Sequence, residues 1–560
     1  MLFVHSLLTG IRGSLGVASL VLSVALSVGL VGFLFFSEAY VLLTAFAFVG
    51  ISLVGSKALS SQIGQSFAAP LSMTLLWLSA CILAVSLTGS FTWIAAGAGG
   101  AYPIQLGAWN ASMATLEILG LLSPAVPALV LVLLFVWVLR PIVPKALRTR
   151  AWGRDQESSP TAAQSKGSDR WPAVLLVLAT ATAIYVRAFA YLPAINPSSL
   201  RVGTDAIRGY ACWLGLSPQG IPFNECDWYW WSLHIGALWV LQGINYLTSS
   251  PGLTMKLAPA IWGIFFDLAT YILVKEGTGD SLLAGVSALF SAVSLQTVVG
   301  VDAGILANWL ALPVAFLFFA AMLKMSRTRK KLYLLPAVFL FISLLFIHPW
   351  TWFLMAVIFA TYLALELLQR FRSHELGKTR LEAGILLSMV LMAAAAVAAE
   401  GVLSPNNWLY VGFQTAISSI NLSNIVNVVP NLQSSLTAWV GGGETNPVWW
   451  ILGALGVLAI PSVKDRFAKL LIVWVASISL VIPLLNAPSL MQERVLFDLP
   501  LPILAAIGAF WLGNHLRDSL PEGSLWHWRG YNIPLFLVVA TATLLSLGFD
   551  LEYIGFLFRL

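Results

Sequence analysis

The sequence predicts an all-α, polytopic transmembrane helical bundle of about 15 spans, with external loops and interfacial helices. Three observations predict it. Of 560 residues, 59% are hydrophobic and 10% are charged, whereas a soluble domain carries about 25% charged residues. The apolar residues gather into runs of about 20, the length that crosses a bilayer as a helix. The lysines and arginines fall in short clusters between those runs and form no single basic face, which argues against a nucleic-acid partner.

Taken in order, the chain opens with MLFVHSLLTGIRG and an apolar run too long for a signal-peptide core, so an uncleaved first span is expected. Residues 1–139 form an N-terminal membrane region with spans near 14–36, 39–56, 69–88 and 119–139. Its Gly- and Ala-rich stretch before the fourth span reads as re-entrant or interfacial. Residues 140–170 hold Arg140, Lys145, Arg148, Arg150, Arg154, Lys166 and Arg170 among Ser, Pro and Gln. They read as a flexible linker, cytoplasmic by their positive excess; a patch for anionic lipid is the alternative.

Residues 171–560 follow as a second membrane domain, with spans near 172–193, 254–274, 281–299, 304–323, 332–348, 350–368, 384–403, 448–463, 469–486, 495–513 and 533–551. Threaded this way, the basic clusters around Lys324, Arg327, Arg370, Lys464, Arg466 and Arg517 all fall on the side of the 140–170 linker, as positive-inside orientation requires. The aromatic segment 228–247 must then lie along the outer interface without crossing. The long external segments of this domain become 194–253 and 404–447.

The chemistry gathers in the first of these. RVGTDAIRGY brings Asp205 together with Arg201, Arg208 and Tyr210 just after a span. An ionisable residue at a membrane boundary is a functional candidate: Asp205 can act as a general base, or it can cap the short helix that AIRGYACWL suggests. Glu493 and Arg494 stand at the outer mouth of a late span. There Arg494 suits a phosphate through its bidentate fork, or it is an interface anchor. His348 ends a span at a Pro349 corner, Lys256 opens the next-to-first span of this domain, and Asp302 lies in a tight external turn. The threading puts all of these at one membrane face. Glu225 and Asp227 form an acidic pair that, with Asp205 or Asp302, makes a weak site for a divalent metal such as Mg or Mn. Arg187, Asp267, Glu366 and Glu400 lie in or at the ends of spans, where they pair within the bundle or sit near the interface, or else form a proton or ion path. Cys212 and Cys226 share the external loop, where a bridge is permitted.

These features together resemble the GT-C superfamily of membrane glycosyltransferases, in particular the protein-O-mannosyltransferase and aminoarabinose-transferase type. The resemblance rests on a span followed by an external loop with GTD and a later Tyr, an aromatic interfacial segment, a Lys at the start of the next span, and an Arg beside the Pro-rich late span ERVLFDLPLPILAAIG. It covers residues 171 to about 515 and leaves residues 1–139 outside. It implies that Asp205 activates an acceptor for inverting transfer from a polyprenyl-phosphate-linked sugar, and that Arg494 holds the lipid phosphate. Lys256, His348, Glu493, Tyr210, Arg201 and Arg208 are then expected at the substrate. The family often carries paired acids in this loop, where GTDA has one; no WWDYG-like stretch is present, so a glycan, a protein and a lipid all stay open as acceptor. The expectation is a multi-pass cell-membrane protein with its active site on the extracytoplasmic side. The alternative is a lipid or polysaccharide transporter or flippase, which should show internal repeats and discontinuous helices.

Overall fold

A computed structural model describes residues 170–193, 202–203, 209–215, 234–372 apart from 303, 447–481, 497–519 and 532–557, with a few isolated positions besides. The chain divides into two compact units, and all the described residues fall in the second, Val126–Leu134 with Gln164–Leu560. The first four predicted spans, the linker up to residue 169, most of the 384–403 span and the loop 404–446 lie outside the described residues.

Every long element described is a helix: α1 (Arg170–Phe189), α2 (Ile235–Thr248), α3 (Pro251–Thr278), α4 (Ser281–Ala292), α5 (Leu295–Asp302), α6 (Leu306–Thr328), α7 (Leu334–Ile347), α8 (Pro349–Arg372), α9 (Pro447–Ala459), α10 (Asp465–Val481), α11 (Leu501–Ser519) and α12 (Ile533–Leu557). Among the described residues, five stretches are long and apolar enough to cross a membrane: α1, α3, the α4–α5 pair, α6 and α8. The protein is accordingly a multi-pass membrane protein. Helix α2 has 14 residues, about 21 Å at 1.5 Å per residue, and falls short of a core about 30 Å thick. Its Trp239, Tyr246 and Leu247 are exposed, as an interfacial helix requires.

Local sequence sets the corners. Ser250 caps α3 by accepting from Leu253 N–H, with Pro251 in the first turn, a position where a missing N–H costs nothing. Gly279 closes that helix at φ +77, and Asp280 then caps α4 by accepting from Leu282 and Leu283, so a two-residue hairpin follows from Gly then Asp. His348 is extended and Pro349 opens α8, which gives the expected corner.

Burial sorts the helices. Helix α6 and the α4–α5 pair are almost wholly enclosed, whereas α1 is largely at the surface and shows Val177, Leu178, Ile184 and Tyr185 outward. In a bilayer such exposed apolar side chains face lipid. An aromatic cluster ties the centre together: Phe316 and Phe319 of α6 pack on Trp474 of α10 at 5.4 and 4.8 Å between ring centroids. Helices α9 and α11 touch backbone to backbone. A Cβ on Gly456 would sit 1.9 Å from Leu504 O, and one on Gly508 would sit 2.0 Å from Leu452 O. Such close approach is how small residues hold membrane helices together without a hydrophobic gradient.

The span predicted as continuous over 281–299 is broken. Helix α4 ends at Ala292 and α5 begins at Leu295. The carbonyl of Ser291 that the break exposes is satisfied by Ser294 Oγ at 3.0 Å and Thr297 Oγ1 at 2.8 Å. Non-helical backbone at membrane depth is tolerated where protein encloses it and such hydroxyls replace the lost bonds.

The bundle has two chemically different ends. At one, Glu276 on α3 pairs with Lys324 at 2.9 Å and with Arg327, both on α6. Arg466 donates to Ser326 O at 3.0 Å, and the Lys464 ammonium abuts Gly279. Basic clusters far apart in sequence thus meet at this basic end. The opposite end holds the residues taken up next.

Candidate functional site

The loop bearing the sequence candidates is tied down on both sides of Asp205. Upstream, Gly203 at φ +96 is pressed on the α5–α6 junction, where a Cβ would come within 2.6 Å of Gly304 Cα; only glycine fits both that space and that φ. Downstream, Tyr210 is buried, and its hydroxyl accepts from Ala307 N–H at 3.1 Å. It thereby satisfies one of the N-terminal amides that α6 leaves open. Tyr210 has a structural task here besides the substrate contact expected of it. Cys212, two residues on, is buried and disulfide-bonded. Its partner, and with it the expected pairing to Cys226, lies outside the described residues.

Beside this anchor is a narrow cleft lined by Arg187, Tyr191, Val202, Pro259, Gly300 and Gly304 among others. Lys256 Nζ stands 5.4 Å from the centroid of the Tyr191 ring, so it lies at this cleft as a cation over an aromatic face.

Arg187 is the floor of a buried charge cluster. Its guanidinium donates to Ala183 O at 2.8 Å and Thr297 Oγ1 at 2.9 Å. It lies 4.9 Å from the centre of the Trp309 ring. Gly263 makes room for it, since a Cβ there would meet Cζ at 2.5 Å. Asp267, buried on α3, has its Oδ1 2.7 Å from Ser291 Oγ. Asp267 and the equally buried Asp550 are both within electrostatic reach of Arg187. Arg187, Asp267 and Asp550 thus lie near one another inside the bundle but form no direct ion pair, and Arg187 Nε, Asp267 Oδ2 and Asp550 Oδ2 make no hydrogen bond. Glu366 does pair, with Lys469 at 3.0 Å.

The third feature is a buried polar chain. His348 Nδ1 accepts from Thr351 N–H at 3.1 Å and lies 2.8 Å from Thr351 Oγ1. Thr351 Oγ1 is in turn 2.9 and 3.2 Å from the two carboxyl oxygens of Asp498. The His234 ring stacks on His348 with centroids 5.0 Å apart and planes 10° apart. The backbone around Asp498 is clamped: Gln296 Nε2 donates to Phe497 O at 3.1 Å and Leu499 O at 2.8 Å, and Trp474 Nε1 donates to Asp498 O at 3.0 Å. The late helix begins at Leu501, after Pro500, so Asp498 precedes it and does not line a span running from 495 as the hydropathy predicts.

The three features meet at the helix break. Gln296 on the first turn of α5 holds the 497–499 segment, and the adjacent Thr297 holds Arg187. Of the sequence candidates, Tyr210, Lys256 and His348 are placed at this end. Asp205, Arg201, Arg208, Glu225, Asp227, Glu493 and Arg494 lie outside the described residues, as does the side chain of Asp302, whose backbone ends α5. Among the described residues no three His, Cys, Asp or Glu side chains form a metal-holding group. Sequence reasoning missed Thr351, Asp498, His234, Gln296 and Trp474. The available signal was a run of polar residues, Ser287, Ser291, Ser294, Gln296 and Thr297, inside an apolar span.

No family model and no curated protein matches the chain. Among solved structures, it aligns with the crystal structure of ArnT from Cupriavidus metallidurans bound to undecaprenyl phosphate, at 14% identity and a TM-score of 0.43, over 70% of this chain and 78% of that one.

Proposed function

We propose that the protein is a GT-C-like integral membrane glycosyltransferase that moves a sugar from a polyprenyl-phosphate donor to an acceptor at the extracytoplasmic face. One observation carries the reading: the GTD loop is docked on both flanks, at Gly203 and at Tyr210, on the bundle end opposite the basic clusters. That end also carries a cleft with Arg187 in its wall and Lys256 beside Tyr191. The disulfide at Cys212 supports an oxidising compartment there.

In this reading the acceptor hydroxyl gives its proton to Asp205 as the sugar leaves the lipid phosphate. Arg494 and Lys256 meet the phosphate charge, in a setting where fixed charges act strongly. Glu493, Tyr210, Arg201 and Arg208 shape the pocket. A divalent metal at Glu225, Asp227 or Asp302 would act on the same phosphate. The acceptor is a glycan, a protein or a lipid.

The test is transfer from a polyprenyl-phosphate sugar by the purified protein in liposomes. Asp205→Asn keeps shape and removes the base, so turnover should fall about a hundred- to ten-thousand-fold with donor binding intact. Arg494→Ala should weaken donor binding as well. Near-normal transfer by Asp205→Asn would remove the assignment of the base. A second reading, an ion-coupled lipid or polysaccharide carrier, is favoured by the broken helix and the buried Arg187 cluster. It predicts movement of lipid-linked sugar across the bilayer without any transfer product.

A further inference from the structure

The turn between α6 and α7 joins a span to a second apolar helix and is tightly built. Helix α6 ends at Thr328, and Arg329 closes it in the left-handed region at φ +57, its N–H donating to Met325 O at 2.8 Å. Few residues other than glycine take that conformation. Lys331–Tyr333 then make one turn of 3-10 helix, closed by Tyr333 N–H donating to Lys330 O at 3.3 Å. The Lys324 ammonium lies 5.3 Å from the centroid of the Tyr333 ring, which ties the turn back to α6.

Two cations of this turn have no counter-charge. Glu276 is already shared by Lys324 and Arg327. Among the described residues, neither Lys330 nor Lys331 makes an ion pair, and both are exposed. Next to them Leu332, Leu335 and Phe339 are 76%, 75% and 68% exposed. Their spacing of three and then four is that of one helix face, and it runs about 10 Å along the axis. Because the turn follows a span, the apolar stripe enters hydrocarbon while the two lysines stay at the level of the lipid headgroups. A zwitterionic headgroup brings its own cation and leaves the lysines uncompensated. An anionic headgroup supplies the missing charge.

We propose that the α6–α7 turn is a binding site for one anionic phospholipid, with its headgroup phosphate at Lys330 and Lys331 and an acyl chain along Leu332, Leu335 and Phe339. The site lies at the basic end, apart from the substrate end, and does not depend on the glycosyltransferase reading. The turn is closed by its own hydrogen bonds, so binding orders no loop, and little affinity is lost to that cost. Each lysine near an anionic headgroup gains about five-fold in affinity, so the pair should prefer anionic over zwitterionic lipid by roughly thirty-fold at low salt.

The experiment is native mass spectrometry of the full-length protein in detergent, titrated at low salt with dioleoyl phosphatidylglycerol or dioleoyl phosphatidylcholine. The expected result is a tightest-bound lipid that is phosphatidylglycerol, preferred by roughly thirty-fold. Lys330→Gln combined with Lys331→Gln should bring that ratio down to about one. Leu335→Gln should weaken both lipids alike, since it touches the chain and not the headgroup. Lys464→Gln removes an exposed cation of the same end, on the turn between α9 and α10, and should leave the preference as it is. All four positions are exposed, so each variant should unfold near the wild-type temperature. Equal affinity of the wild-type protein for the two lipids would overturn the site. An equal loss in Lys464→Gln would also overturn it, reducing the effect to general attraction by a basic end. So would a wild-type dimer that Leu335→Gln dissociates, because a second copy would then cover the stripe.

Discussion

Ionisable groups at the basic end of the bundle are paired in the open, and those towards the opposite end are sealed inside it. The side chains of Lys324 and Arg327 remain 35% and 48% exposed in their pairs with Glu276. Arg187, Asp267, Asp498 and Asp550 are at most 1% exposed. The first arrangement contributes little to stability, since water screens it; its value is as an address, because basic loops set orientation in the membrane. The second is costly, because ionisable groups out of water lose solvation that partners only partly return. Side chains retained at that cost mark function. Under the proposed function, the basic end sets orientation and the opposite end carries the chemistry.

Three substitutions test this contrast, in falling order of effect. Arg187→Leu removes the cation from beside Asp267 and Asp550 and empties the space at Gly263. It should destabilise the protein by about 3–5 kcal/mol, read from unfolding in detergent; a change as small as that of a surface pair would erase the distinction. Gln296→Leu strips the Phe497 and Leu499 carbonyls of their shared donor, at about 1–3 kcal/mol. It should also raise KM for the donor, since the clamped segment leads directly to Arg494. A normal KM would detach the helix break from the site. Glu276→Gln should cost under about 1 kcal/mol, and added salt should shrink even that. A larger, salt-insensitive loss would make the two ends alike.

The hydropathy pattern made most of the described helices legible. The helices at Pro251–Thr278, Leu306–Thr328 and Pro349–Arg372 lie where apolar runs and the Gly279 and Pro349 corners put them. The break at Val293–Ser294 was not legible, because serines that satisfy a carbonyl look in sequence like ordinary small residues of a span. At the site, Tyr210, Lys256 and His348 could be grouped because alternating spans carry each to the same end. Asp498 could not. It stands in an apolar string, and what gives it meaning is Thr351, 147 positions away. Threading brings elements to a common face, but it does not say which side chains on that face touch.

The most direct measurement is labelling of intact cells with a membrane-impermeant maleimide, read against the labelling of the parent protein. Ser249→Cys, exposed between α2 and α3, and Lys330→Cys, exposed just past α6, sit at the two ends. Labelling of Ser249→Cys on intact cells, with Lys330→Cys labelled only after permeabilisation, is the predicted result. The reverse pattern, or labelling of both from one side, would contradict an extracytoplasmic site opposite a cytoplasmic basic end.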